Sequence, residues 1–404
     1  MVLSPLSSPL LFTPMKLRGL LVPNRVIASP MCQYLSDDGA PNDWHIMHLG
    51  RLAIGGCGIV FGEETAVEPN GRKTYSCAGL YKSSQIAAYR RLTDVIKDNG
   101  AVPAIQLGHS GRKGSCHGAM ENWRPLEQRD AKDGFAPWQV MAPTAENCPP
   151  RPIYPKAMDK DDIKYVIEAF RTSTKMSIDA GYDIVEIHGA HGYLIHQFLS
   201  STSNRRTDHY GGSLENRMRF ALEIARVVRE TWPKDKPVFF RLSAVDGKGG
   251  SWTLGESIAL AAALKEVDID MIDVSWGGVM GDSEMAMVPR LPAYQVEFSK
   301  RIRHQAGVKT VAVGGITKAQ QAEDILQAGE ADMVALAREL LWNADWPSHA
   351  AKALGLEDPF AYLPDGYAHR LRLRENQKEM KINQDPELIA TSLEYFLKSD
   401  TIPN

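Results

Sequence analysis

The chain has 404 residues, 46 basic against 49 acidic side chains, a formal charge of −3 and 44% hydrophobic residues. That composition belongs to a globular chain able to bury a large core without disulfide or metal staples. No run of one charge offers a footprint for nucleic acid or an anionic membrane, and no apolar run approaches the roughly 20 residues that span a bilayer.

The first eleven residues carry Pro5 and Pro9, and no basic residue precedes Lys16, so a secretory signal is not expected and the compartment expected is cytoplasmic. From there, short β-branched or apolar runs alternate with longer amphipathic stretches. The runs are 26–29, 58–62, 102–107, 184–188, 238–242, 271–275, 310–313 and 333–335. Apolar residues at helical spacing fill 84–99, 161–180, 215–231, 253–267 and 318–328. Eight such units predict an α/β chain folded as a (β/α)₈ TIM barrel rather than an open doubly wound sheet. The missing G-x-G-x-x-G turn after the first strand points the same way.

Two segments fall outside the repeat. Residues 112–155 hold seven prolines with Trp123 and Trp138 and no sustained period, which predicts an extended lid over the barrel mouth after strand 3. Residues 371–404 form a C-terminal helical extension with a helical pattern at 387–398, open to either a docked helix or a mobile tail. The expected division is a barrel at 1–370 and the extension at 371–404. Cys32, Cys57, Cys77, Cys116 and Cys148 are odd in number and form no C-x-x-C pair, so reduced thiols are expected.

In such a barrel the chemistry sits at the C-terminal strand ends. There the sequence places Ser29-Pro30-Met31-Cys32, Glu63-Glu64, Gln106 to His109, His188 to His191, Arg241, Ser275, Gly314-Gly315 and Ala337-Arg338. Gly314-Gly315-Ile316-Thr317, read as opening a helix, and Ala337-Arg338, opening a shorter one, form a phosphate site. Small residues let backbone N–H groups approach, and Arg338 adds a bidentate partner. The competing reading is a tight turn with a surface arginine.

His188 and His191, with His196 following, have three readings: donors to a carbonyl oxygen with Tyr193 as proton source, histidines hydrogen-bonded within the barrel, or a metal site. For the last, Glu186 is the nearby carboxylate. Arg241 ends an apolar strand, where an isolated cation is costly, so it is expected to face an anion or an electron-rich ligand. Cys32 is either a small buried hydrophobe or a ligand contact. His45 and His48 are expected to pack on a helix. Of Glu63 and Glu64 at most one enters the mouth, because adjacent strand residues face opposite ways. A flavin-free phosphate-binding lyase or isomerase is the alternative function, although no lysine ends a strand.

Three segments carry a resemblance: Ser29-Pro30-Met31-Cys32-Gln33-Tyr34, the stretch from Ile105 to Lys113, and Glu186 to Asn204 with its continuation Arg206 to Arg217. They resemble the old yellow enzyme family of FMN-dependent ene-reductases, its thermophilic-like class and fungal relatives, over roughly residues 12–345. The resemblance implies FMN at the barrel mouth, with Pro30, Met31 and Cys32 against the isoalloxazine and Gln106 and Arg241 at its pyrimidine edge. Gly315 and Arg338, flanked by Gly314 and Ala337, would hold the phosphate.

It further implies that His188 and His191 bind the oxygen of an α,β-unsaturated substrate, that Tyr193 protonates its α-carbon, and that Tyr34 lines the pocket. NADPH, with NADH as a second option, would reduce the flavin in a ping-pong cycle that reduces C=C bonds activated by a carbonyl or nitro group. No metal, nucleic acid or membrane partner is implied. Glu64, near the flavin, replaces the usual Ala or Gly, and Ala337 stands where Gly is common. A homodimer bridged by Arg370 or Arg372 is the assembly the class offers.

Overall fold

The computed structural model describes residues 8–147, 153–247, 250–279 and 291–379, together with 387, 390, 391 and 394. The barrel strands are β1 (Val26–Ala28), β2 (Ile59–Ala66), β3 (Val102–Gly108), β4 (Ile184–Gly189), β5 (Val238–Ser243), β6 (Met271–Ser275), β7 (Lys309–Val313) and β8 (Met333–Leu336). All eight pair in parallel and close on themselves where Val334, Ala335 and Leu336 of β8 meet Val26, Ile27 and Ala28 of β1. This is a TIM barrel, and every apolar run read from the sequence supplies one of its strands.

Each strand is followed by a helix: α1 (Asp43–Ile54), α2 (Ile86–Asp98), α3 (Lys160–Asp179), α4 (Leu214–Thr231), α5 (Leu254–Glu266), α6 (Val296–Ala306), α7 (Ala319–Gln327) and α8 (Trp346–Ala353). Their starts are written locally. Asn42, Asp159, Ser213 and Thr253 accept backbone N–H groups in the first turns of α1, α3, α4 and α5, caps worth about 1 kcal/mol each.

Strand alternation divides the core in two. Ile27, Ile59, Phe61, Ala104, Ile184, Phe239, Met271, Val311 and Met333 fill the barrel interior. Val60, Ile105, Val185, Phe240, Ile272 and Val334 point outward onto the helices. A hairpin of Met15–Leu17 with Leu20–Val22 adds Met15, Leu17 and Val22 to the interior cluster and plugs its N-terminal end. The opposite end is left to polar residues.

The segment after β3 has a regular framework that its prolines had hidden. It contains 3₁₀ turns at Gly111–Lys113, Ala119–Glu121 and Gln128–Asp133, and Met141–Ala142 pairs with Lys156–Ala157. At the C-terminus a helix, Asp365–Glu379, spans the boundary drawn at residue 370. Its Arg372 pairs with Asp358 of the same chain, 2.6 Å away. Residues 387, 390, 391 and 394 are helical, and the rest of the pattern at 387–398 lies outside the described residues. Cys32, Cys57, Cys77 and Cys116 are free thiols, while Cys148 lies outside the described residues. Among those residues, no helix is long and apolar enough to cross a membrane.

Candidate active site

The C-terminal strand ends open on two adjoining cavities. The first, about 380 Å³, is lined by Pro30, Cys32, Tyr34, Glu64, Gln106, His188, His191, Tyr193 and Arg241. The second, about 620 Å³, is lined by Gly314, Gly315, Ala337 and Arg338. His191, Arg241, Val313 and Ala337 line both. Residues read from eight separate strand ends therefore converge. Of the residues expected to touch flavin or substrate, Met31 alone lines neither cavity, packing instead against the helical core; of the other strand-end residues, His109 turns onto Glu68, its Nε2 2.9 Å from Oε1.

At the end of β4, His191 has a left-handed backbone, φ 58°, a conformation costing about 1–2 kcal/mol for a residue with a Cβ. Two hydrogen bonds hold it: its N–H donates to Ser243 Oγ (3.0 Å), and Lys113 Nζ donates to its carbonyl (2.8 Å). The turn brings His191 Nδ1 to 3.3 Å from His188 Nε2, and His191 Nε2 to 2.6 Å from Ser275 Oγ. Burial first, and the Arg241 charge second, push both imidazoles well below their ordinary pKa, so both are neutral.

His196 does not join them. It sits on the short helix Leu194–Leu199, with Nε2 2.8 Å from Asp246 Oδ1 and Nδ1 accepting from Gly192 N–H. Among the described residues no group of three His, Cys, Asp or Glu side chains is placed to hold a metal. Tyr193 packs edge-on against His188 with centroids 5.0 Å apart. Burial, then Glu64, raise its phenol pKa, which keeps the proton on the oxygen.

Arg241 meets its anion inside the protein. His188, Arg241 and Asp273 form one register row across β4, β5 and β6, and Arg241 Nε lies 3.3 Å from Asp273 Oδ2. Arg241 Nη1 donates to Ser29 Oγ (3.2 Å), and Gln106 Nε2 donates to Glu186 Oε1 (2.7 Å). Burial raises both carboxyls of that pair, Glu186 well above the carboxylate range with Asp273 adding to it, while the Arg241 charge opposes the rise at each.

The two adjacent glutamates part as strand geometry requires. Glu63 Oε1 lies 3.0 Å from His45 Nε2 on α1, and its Oε2 accepts from Gln33 N–H. Thus His45, expected only to pack, holds a buried hydrogen bond to the Glu63 carboxyl. Glu64 alone reaches the cavity, after a shift in β2–β3 register between Phe61 and Glu64. Burial, then Glu63, raise its carboxyl to about 8, with Lys73 opposing.

Among the lining residues, Trp123 is legible in the sequence only as part of the expected lid, and Lys73, Trp276 and Gln295 escape sequence reasoning. Trp123 comes from the segment after β3, edge-on to Tyr34 at 5.2 Å, with Lys73 Nζ 3.3 Å from its ring centroid. Trp276 and Gln295 line the second cavity, and their Nε1 and Oε1 atoms are buried without a partner among the described residues. The Gly314 and Gly315 backbone is left-handed, φ 103° and 68°, and a Cβ would stand 2.6 Å from Gln295 Nε2 or 2.7 Å from Leu291 O. These conformations stop the helix read from Gly314, which begins only at Ala319.

Residues 10–357 match the NADH:flavin oxidoreductase / NADH oxidase family. An NADPH dehydrogenase of Geobacillus sp. (strain WCH70) is 42% identical over 348 residues, covering 86% of this chain and 95% of that protein. An NADH:flavin oxidoreductase of Gibberella zeae is 39% identical over 361 residues, covering 86% of each. The solved structure of morphinone reductase is similar with a TM-score of 0.72 at 26% identity, covering 89% of this chain and 95% of that one.

The residues present fit FMN. One cavity offers amide and guanidinium donors, Gln106 and Arg241, beside Pro30 and Cys32. The other offers side-chain-free backbone at Gly314-Gly315, Arg338, and the unpartnered Gln295 and Trp276 atoms. The chain belongs to the NADH:flavin oxidoreductase / NADH oxidase family, that of the old yellow enzymes, and is an oxidoreductase with FMN as cofactor and NADPH as reductant.

Proposed function

We propose that this oxidoreductase is an ene-reductase, reducing C=C bonds conjugated to a carbonyl or nitro group. The observation that carries the reading is the neutral, buried pair His188 and His191 beside the protonated Tyr193 in one cavity with Arg241. Neutral imidazoles donate hydrogen bonds without adding a fixed charge, and two of them share an oxygen that becomes negative as the alkene is reduced. A preorganised donor of this kind is worth about 10²- to 10³-fold in rate.

Pro30, Cys32, Gln106, Arg241, Gly315 and Arg338 would hold FMN, which when bound would supply the hydride for the β-carbon. Tyr193 donates its proton to the α-carbon and recovers one from solvent, so the alkene gains one hydride and one proton. Arg241 favours negative charge at the mouth, with Asp273 setting how much of its charge is left over. Tyr34 and Trp123 form the wall that limits water and shapes the substrate. NADPH and the alkene use this same cavity in turn, which makes the cycle ping-pong.

The test is visible absorption under nitrogen. An oxidised-flavin band that bleaches with NADPH and returns on adding 2-cyclohexenone or a maleimide is the expected result. A band that stays bleached with every activated alkene overturns the assignment while leaving the flavin and its reductant in place.

A further inference from the structure

The reaction above gives no task to Glu64, although it stands at the same cavity as Cys32, Gln106 and Tyr193. Its side chain is almost wholly buried, and neither carboxyl oxygen has a hydrogen-bond partner among the described residues. Burying such a group unpaired costs several kcal/mol, and an apolar residue would fill the volume at lower cost. Packing therefore does not account for it. In register, Glu64 sits beside Gln106 of β3, and Cys32 feels its charge.

We propose that Glu64 belongs to the cofactor site: as the neutral acid its O–H donates a hydrogen bond to the bound flavin, and its proton is linked to the flavin's redox state. This rests on the reading that Cys32 and Gln106 face the isoalloxazine. Reduction places negative charge beside the carboxyl and favours the protonated acid. Two electrons and one proton convert the oxidised ring to its reduced anion. At a pH lying between the ionisations of Glu64 in the two redox states, a second proton joins the Glu64 carboxylate.

The groups facing Glu64 allow this linkage to be read separately. Glu63 and Lys73 are its charged neighbours. Cys32 from the loop after β1, Cys77 from the loop after β2 and Tyr193 from the loop after β4 are all pushed up by burial, so they stay uncharged where Glu64 titrates.

The experiment is a spectroelectrochemical titration of the FMN-loaded enzyme between about pH 6.5 and 9.5, in wild type, Glu64→Gln and Glu64→Ala. Proton uptake in wild type is expected to rise toward two protons per two electrons around the ionisation of Glu64. Both variants are expected to show one fewer proton in that window, with Glu64→Ala providing the comparison if Glu64→Gln does not load FMN. A pH dependence shared by wild type and both variants overturns the proposal. A wild-type protein that takes up no FMN overturns the cofactor reading itself, which distinguishes the two failures.

Discussion

Glu64 of β2 occupies the space that any side chain on Gly108 of β3 would need: a Cβ there would stand 2.2 Å from Glu64 Oε1 and 2.9 Å from its Cδ. The glycine and the acid are one unit across neighbouring strands, because the carboxyl has its seat only while residue 108 carries no side chain. Gly108→Ala is expected to drive the carboxyl off its seat and to destabilise by about 1–3 kcal/mol, the usual cost of overpacking. In the background of Glu64→Ala the same substitution no longer meets the carboxyl and is expected to cost less. Chemical denaturation of the four proteins measures the coupling. Strict additivity would show that the two positions do not compete for volume.

The same carboxyl has a consequence for stability against pH. Burial, then Glu63, raise it to about 8 in the folded chain, whereas in the unfolded chain it ionises near the ordinary value of about 4.3. Between those limits the unfolded state has released a proton that the native state still holds. Stability is therefore fullest below the lower limit, falls as pH rises through the interval and levels off above about 8. Glu64→Gln carries no such proton, so its advantage over wild type is expected to grow across the interval to a few kcal/mol at about pH 9. Denaturant midpoints at about pH 5, 7 and 9, taken without bound flavin so that ligand linkage does not enter, give the answer. A difference between the proteins that does not change with pH would mean that Glu64 ionises normally.

What the sequence disclosed, and what it hid, follows from where each contact is made. Parallel strands buried on both faces read as continuous apolar runs, so the eight strands and the polar residues ending them were legible without any contact information. Asp273 was not, because it lies within such a run. Its pairing with Arg241 exists only through the β5–β6 register. Trp123, Lys73, Trp276 and Gln295 come from connections whose course no periodicity describes. His196 misleads in the opposite sense: five residues from His191 along the chain, it is turned by its short helix onto Asp246 and away from the mouth.

The row of His188, Arg241 and Asp273 predicts two opposed shifts in flavin potential. Arg241 stabilises added negative charge, and Asp273, 3.3 Å from its Nε, offsets part of that effect. Arg241→Ala is expected to lower the midpoint potential and weaken FMN binding. Asp273→Asn is expected to raise the potential, because the arginine is then uncompensated. Shifts of some tens of millivolts are expected, since 30 mV in a two-electron couple corresponds to about 1.4 kcal/mol. Both variants are measured against wild type at one pH. Shifts of the same sign would contradict opposite electrostatic roles.

The division of labour at the end of β4 gives the prediction that bears most directly on catalysis. Tyr193 packs against His188, and both histidines are neutral in the cavity, so in the proposed reaction the phenol and the imidazoles would meet the same substrate through different atoms. If Tyr193 is the proton donor, Tyr193→Phe removes one O–H and little volume. Rapid-mixing absorbance should then show flavin reduction by NADPH close to wild type and reoxidation by 2-cyclohexenone slowed about 10²-fold or more. His188→Ala with His191→Ala removes the oxygen-binding pair instead. That variant should retain FMN, lose phenol binding at the flavin and lose about 10²- to 10³-fold in alkene reduction. Because the imidazoles act on binding and on charge, phenol affinity must fall together with turnover. Phenol bound as tightly as in wild type would remove the histidines from the substrate oxygen, and equal slowing of both half-reactions in Tyr193→Phe would remove the tyrosine from proton transfer.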